Sequence, residues 1–98
     1  MTFNDPHDMV TVQFTPALRR FFPDLTAVDV QGETVREVLN GIEAKYPGMK
    51  SYLMDDQGSL RQHVNIFVGG ARIEDDRELS DSLQPGDEVY VMQALSGG

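Results

Sequence analysis

A single stretch of helical periodicity stands among several stretches of two-residue alternation, and that ratio limits the folds open to this chain. From Met9, the side chains of Val10, Val12 and Phe14 fall on one side and those of Thr11, Gln13 and Thr15 on the other, as a half-buried strand requires. Leu25 to Gln31 alternates again, through Leu25, then Ala27 or Val28, and Val30, and Gly32 closes it, so a hairpin of two strands is the simplest reading. Between them, Pro16 to Asp24 (PALRRFFPD) is bounded by two prolines and reads as an irregular connection. The helical stretch follows at once. Thr34 is placed to cap it with Glu37 three residues on, and Val35, Val38, Leu39, Ile42 and Tyr46 recur at helical spacing. Gly41 weakens this helix by roughly 1 kcal/mol relative to alanine, and Pro47-Gly48 stops it, because proline disfavours helical geometry at the residue before it.

After the helix, Met49 to Met54 reads as a short turn and Asp55 to Gly58 as a loop. His63 to Val68 is a third strand with Val64, Ile66 and Val68 inward, and Gly69-Gly70 supplies a tight turn to a brief pairing at Ala71 to Ile73. Leu79 and Leu83 anchor an otherwise acidic connection, and Pro85-Gly86-Asp87 is a turn signature. The last strand runs from Glu88 to Ala94 with Val89 and Val91 inward. A single helix covers one face of a sheet and leaves the other toward solvent. The expected class is therefore α+β, a mixed four- to five-stranded sheet with one main helix packed on one face, an order that resembles the β-grasp of ubiquitin-like proteins. At 98 residues there is room for one core. Residues 1–8, without periodicity, read as a flexible leader, 9–95 as the domain and 96–98 as a flexible tail.

Composition removes whole classes of function. The net charge of −8 makes phosphate backbones and anionic lipid unsuitable partners and a basic protein surface the natural counterpart. Without cysteine there is no disulfide, thiolate metal site or thiol nucleophile. Two histidines, His7 and His63, far apart in sequence, make no metal cluster. No run approaches the ~18 apolar residues of a membrane span, and the acidic start MTFNDPHDM is unlike a signal peptide, so a cytoplasmic protein, monomeric when free, is expected. Among side chains, Ser51, Ser59, Ser80, Ser82 and Ser96 lack a nucleophile elbow. Asp55-Asp56 and Asp75-Asp76 lack the alternating ligands of a calcium loop and read as solvated turn charges. Gly69-Gly70 lacks the lysine and helix of a phosphate cradle. His63 reads as a partly exposed structural residue opening a strand, and Tyr46, Met49 and Met54 as core or rim packing.

The chemistry left is at Ser96-Gly97-Gly98. Two glycines without Cβ let a tail thread a channel too narrow for side chains, and the group it delivers is the α-carboxylate of Gly98. A carboxylate is a poor electrophile because its leaving group would be oxide. Transfer of AMP from ATP gives an acyl-adenylate with a good leaving group, dividing one hard step into two easier ones. Attack by sulfide or a persulfide leads to a thiocarboxylate; attack by a thiol or amine begins conjugation to protein.

The segment from Leu83 to Gly98, LQPGDEVYVMQALSGG, joins a Gly-Asp turn, a final strand and Gly-Gly, and here the chain resembles the ThiS/MoaD family of ubiquitin-like sulfur carriers. Through TPALRRFF (Thr15 to Phe22), EAKYPGMKSYLMD (Glu43 to Asp55) and VNIFVGG (Val64 to Gly70) it is most similar to the CysO-type branch, the carriers of thiocarboxylate-dependent cysteine biosynthesis. The resemblance covers about residues 9–98. It implies a carrier with no turnover of its own, which binds no cofactor itself. An E1-like adenylyltransferase of MoeB/ThiF type would activate Gly98 with ATP and magnesium, and a sulfurtransferase or persulfide would supply sulfur. A PLP-dependent, cysteine synthase-like acceptor and a JAMM-type metallopeptidase would complete the CysO-type route. Molybdopterin-synthase small subunits usually carry two prolines before V-x-G-G, where this chain has Gln93-Ala94-Leu95-Ser96, which lowers that alternative. The runner-up is a ubiquitin-like modifier joined to lysines through Gly98, and an inert binding module ranks last.

Alternation also supplies a docking face. With Val89 and Val91 toward the helix, Tyr90 and Met92 fall on the open face beside Phe67, three large groups with the character of an interface patch. The competing use for them is packing against the leader or the segment after Pro16. Leu95 is expected to anchor the base of the tail, with Ser96 the first residue beyond it.

Overall fold

Each alternating stretch forms a strand and the one helical stretch forms the one long helix. A computed structural model describes residues 9–93; the expected leader, and Ala94, Leu95, Ser96, Gly97 and Gly98, lie outside the described residues. The strands are β1 (Met9–Phe14), β2 (Val28–Gln31), β3 (Val64–Val68), β4 (Ala71–Arg72) and β5 (Glu88–Gln93), in the sheet order β2-β1-β5-β3-β4. The first and last strands run parallel at the centre, Val12 beside Val89 and Phe14 beside Val91. Their neighbours, β2 and β3, are antiparallel to them, as β4 is to β3. This mixed five-stranded sheet with one main helix is the expected β-grasp arrangement.

Helix α1 (Val35–Lys45) buries Val35, Val38, Leu39 and Ile42 against the sheet. Thr34, in an extended conformation, accepts from the Glu37 amide at 3.3 Å, and the Glu37 carboxylate accepts from the Glu33 amide at 2.8 Å, so the reciprocal capping bond falls one residue earlier than the usual box. The acidic connection supplies two further acceptors: Val35 donates to the Asp81 carbonyl and Arg36 to that of Leu79, at 3.1 and 2.9 Å. At the other end Tyr46 has left helical geometry (φ −132, ψ 81), as the following proline demands. Gly41 gains a reason that helix propensity does not supply. A Cβ there would stand 2.4 Å from Cγ1 of Val30, so only glycine lets α1 lie this close to β2.

Several boundaries differ from the sequence reading, among them β3, which starts at Val64 and not His63, and β4, which ends at Arg72 and not Ile73. The second strand is four residues, Val28–Gln31, not the seven of Leu25 to Gln31. Leu25 is 2% exposed but sits in a turn, its amide bonded to the Phe22 carbonyl and its own carbonyl accepting from Arg19 Nε, which removes it from any ladder. The segment after Pro16 is ordered as a 3-10 helix (Pro16–Arg20), with proline in its first turn and Leu18 fully buried. Met49 to Met54 is a short helix, α2 (Met49–Leu53), that buries Met49 and Leu53. Within β3, Val68 is half-buried at the core edge rather than fully inward. The Gly69-Gly70 turn has φ of 58° and 89°, the left-handed pair a two-residue hairpin favours. The core is wholly apolar among the described residues.

Candidate functional site

The sheet has one face on α1 and, among the described residues, one open. In β5, Val89 and Val91 are 1% and 0% exposed, while Tyr90 and Met92 are half-buried on the far side. Antiparallel register sets Phe67 directly opposite Tyr90 and Asn65 opposite Met92, while Gln13 of β1 lies on Tyr90's other flank. Phe67, Tyr90 and Met92, which alternation grouped, are thus brought together, and with Gln13, Gly70, Glu88 and Val89 they line an open depression of about 360 Å³. None of its lining comes from the segment after Pro16: Leu18 is in the core, and Phe21 and Phe22 lie against Tyr52, with ring centroids 4.9 and 6.1 Å away. The rim is polar. Thr11 donates to Asp29 at 2.8 Å, and Arg72 donates to Asn65 at 2.7 Å and pairs with Asp76 at 3.7 Å. Arrangements of this kind, apolar at the centre and polar around it, suit docking of another protein.

The end of β5 is the second element of the site, because beyond Gln93 the chain continues toward Gly98. Gln93 pairs with Val64 on β3, and its side-chain carbonyl accepts from the Tyr52 hydroxyl at 3.2 Å. On the opposite flank the Thr15 hydroxyl accepts from the Gln93 amide at 3.1 Å and donates to the Val91 carbonyl at 3.2 Å. A groove of about 270 Å³ lies beside it, lined by Ser51, Tyr52, Arg61, His63, Val64 and Gln93. His63, read as a partly exposed residue opening a strand, is exposed here just ahead of β3. Phe21, the large hydrophobe most in solvent among the described residues at 56% exposed, packs its ring tilted against that of Tyr52. Sequence reasoning missed Thr15 and Tyr52. Nothing in spacing ties either to Gln93, 78 positions from Thr15.

Three other polar side chains brace the fold. Asp75 accepts from the amides of Arg77, Glu78 and Ser80 and from the Ser80 hydroxyl. These bonds, the Glu78 amide foremost and then the Ser80 hydroxyl, hold its carboxyl well below the ordinary range. Glu43 accepts from the amides of Gly48 and Lys50 at the start of α2, and its pKa is lowered by them in that order. Tyr46 accepts from the Thr26 amide, donates to the Asp24 carbonyl and sets its ring edge-on to Phe14; Met49 and Met54 are in the core. Among the described residues no three His, Asp or Glu side chains converge as a metal site, and no helix is long and apolar enough to cross a membrane. Gly97, Gly98, Leu95 and Ser96 lie outside the described residues.

The chain shows three kinds of likeness to known proteins. Residues 12–98 match the model of the ThiS family. The sulfur carrier protein CysO of Mycobacterium tuberculosis is 32% identical over 91 residues, spanning 91% of this chain and 98% of that protein. Small archaeal modifier protein 3 of Haloferax volcanii is 34% identical over 65 residues, 66% of this chain and 70% of that one. In three dimensions the chain resembles a chain of the Amycolatopsis orientalis BexX/CysO complex, with a TM-score of 0.78 at 26% identity, over 91% of this chain and 99% of the other.

Proposed function

The chain belongs to the ThiS family, and on that premise we propose that it is a sulfur carrier whose reacting group is the α-carboxylate of Gly98. The observation that carries this reading is the similarity to the sulfur carrier CysO along almost the whole of both chains. The domain catalyses nothing itself; it presents a terminus to the active sites of other enzymes.

Activation starts when a carboxylate oxygen of Gly98 attacks the α-phosphorus of ATP, held with magnesium by an E1-like enzyme of MoeB/ThiF type. An O–P bond forms, pyrophosphate leaves, and the product is an acyl-adenylate. Hydrosulfide attack at the acyl carbon then expels AMP and leaves a thiocarboxylate. A sulfurtransferase persulfide reaches the same product through an acyl disulfide that a second thiol reduces. Gly97 supports this step by leaving no side chain to obstruct the channel. The open face of Phe67, Tyr90 and Met92 seats the domain on its partner, Leu95 and Ser96 lie between that seat and the reactive end, and the net charge of −8 favours a basic counterpart.

For the recipient of the sulfur, likeness to CysO favours cysteine biosynthesis, with a PLP-dependent cysteine synthase-like acceptor and a JAMM-type metallopeptidase downstream. A second reading, conjugation to protein lysines through Gly98, is favoured by the similarity to an archaeal modifier protein. The test of activation is ATP–pyrophosphate exchange with the activating enzyme. Wild type should support exchange; Gly98→Ala and a variant extended by one residue should not, although both fold normally. Normal exchange by either variant would refute the threading argument.

A further inference from the structure

The parallel ladder between β1 and β5 reaches its end at Thr15. Its amide still donates to the Val91 carbonyl at 3.0 Å, in ladder fashion. The next rung would be the Gln93 amide donating to the Thr15 carbonyl. That carbonyl has been turned away by Pro16 and accepts instead from Leu18, at 3.0 Å, in the first turn of the 3-10 helix. The Thr15 hydroxyl takes its place, accepting from the Gln93 amide while donating to Val91. A side chain thus adds one rung after the backbone of β1 has left the sheet. With Tyr52 donating to its side chain, Gln93, the last described residue of β5, is held at both its amide and its side chain.

Resting on the carrier reading above, we infer that Thr15 is a positioning residue for activation at Gly98: its hydroxyl fixes Gln93, after which five residues remain to Gly98. Those five residues span at most about 18 Å when extended. Over so short a reach, an error in where the tail starts is carried to where it ends, and a misplacement of about 1 Å in a reacting group can cost a large factor in rate. Thr15→Val keeps the branched shape and removes the acceptor, so the Gln93 amide loses its partner and the last rung opens. The docked complex must then select the productive tail direction from several. That cost falls on the chemical step and not on docking, which the open face controls.

The experiment is steady-state pyrophosphate exchange by the full chain with its activating enzyme, together with amide hydrogen exchange at Gln93 in the free protein. Thr15→Val should lower kcat on the order of tenfold with KM within about twofold of wild type. Thr15→Ser, which restores the hydroxyl, should recover most of that loss. The Gln93 amide should exchange faster in Thr15→Val than in Thr15→Ser, while core amides match. Tyr52→Phe, which frees only the Gln93 side chain, should lower kcat in the same direction by less, and it serves as the test if Thr15→Val does not fold. A kcat unchanged in Thr15→Val, a loss confined to KM, or a serine variant as slow as valine would overturn the inference and leave the carrier reading intact. Absence of exchange with wild type would overturn both.

Discussion

Phe67 and Tyr90 stand directly opposite one another across β3 and β5, on the face of the sheet turned away from α1. Neither belongs to the core or to the partly buried side chains packed against it. Cross-strand neighbours contribute roughly 0.2–1 kcal/mol to the sheet, a small return for two large half-buried groups. In the docking proposed above their return would be larger, because a central aromatic at an interface is worth about 2 kcal/mol or more.

Tyr90→Ala should therefore cost less than about 1 kcal/mol of folding stability while weakening the complex with the activating enzyme on the order of thirtyfold. Chemical denaturation and titration calorimetry measure the two effects separately. Loss of stability without loss of binding would assign Tyr90 to the fold.

Gly41 and Val30 give a prediction of opposite sign to helix propensity. Alanine at an exposed position in a helix interior stabilises by roughly 1 kcal/mol over glycine. Here the added methyl meets Val30 Cγ1 at 2.4 Å, in a buried strand residue with little freedom to move. Gly41→Ala should destabilise by about 1–3 kcal/mol. In a Val30→Ala background the same change should be neutral or stabilising, and a double-mutant cycle by urea denaturation reads the coupling.

Asp75 ties together the loop that receives the start of α1, accepting from three of its amides and the Ser80 hydroxyl. Its carboxyl is held well below its ordinary value of 3.8 by bonds made to the ionised form, led by the Glu78 amide. Such a group contributes stability that is complete above the unfolded value and fades as pH falls below it, through the lower folded value. Asp75→Asn should be less stable than wild type at neutral pH. The gap should narrow as the pH falls below 3.8. Denaturation midpoints of both proteins across that range check the sign; a gap that widens in acid would contradict it.

Most of the fold was legible because alternation and helical period report burial directly. Val10, Val12, Ile66, Val89 and Val91 alternate in sequence and are all buried. Thr34 and Glu37 cap the helix as their spacing predicts, with the reciprocal bond shifted to Glu33. The grouping of Phe67, Tyr90 and Met92 was legible for the same reason, since period two assigns faces whatever the register. What escaped is set by tertiary contact. Leu25 looked like a strand residue because burial in a turn and burial in a strand leave the same apolar letter. The 3-10 helix was hidden because proline bounds irregular segments and short helices alike. Gly41 looked like a defect because its reason, Val30, lies on another element. Thr15 and Gln93, 78 positions apart, are joined only once β1 and β5 lie side by side.

The most direct test of the carrier reading is a mass measurement on the C-terminal peptide. After incubation with the activating enzyme, ATP, magnesium and sulfide, fragmentation of that peptide should place an oxygen-to-sulfur mass shift on the carboxyl of Gly98 and nowhere else. An unchanged terminus under conditions that consume ATP, or sulfur found on any side chain, would contradict the account.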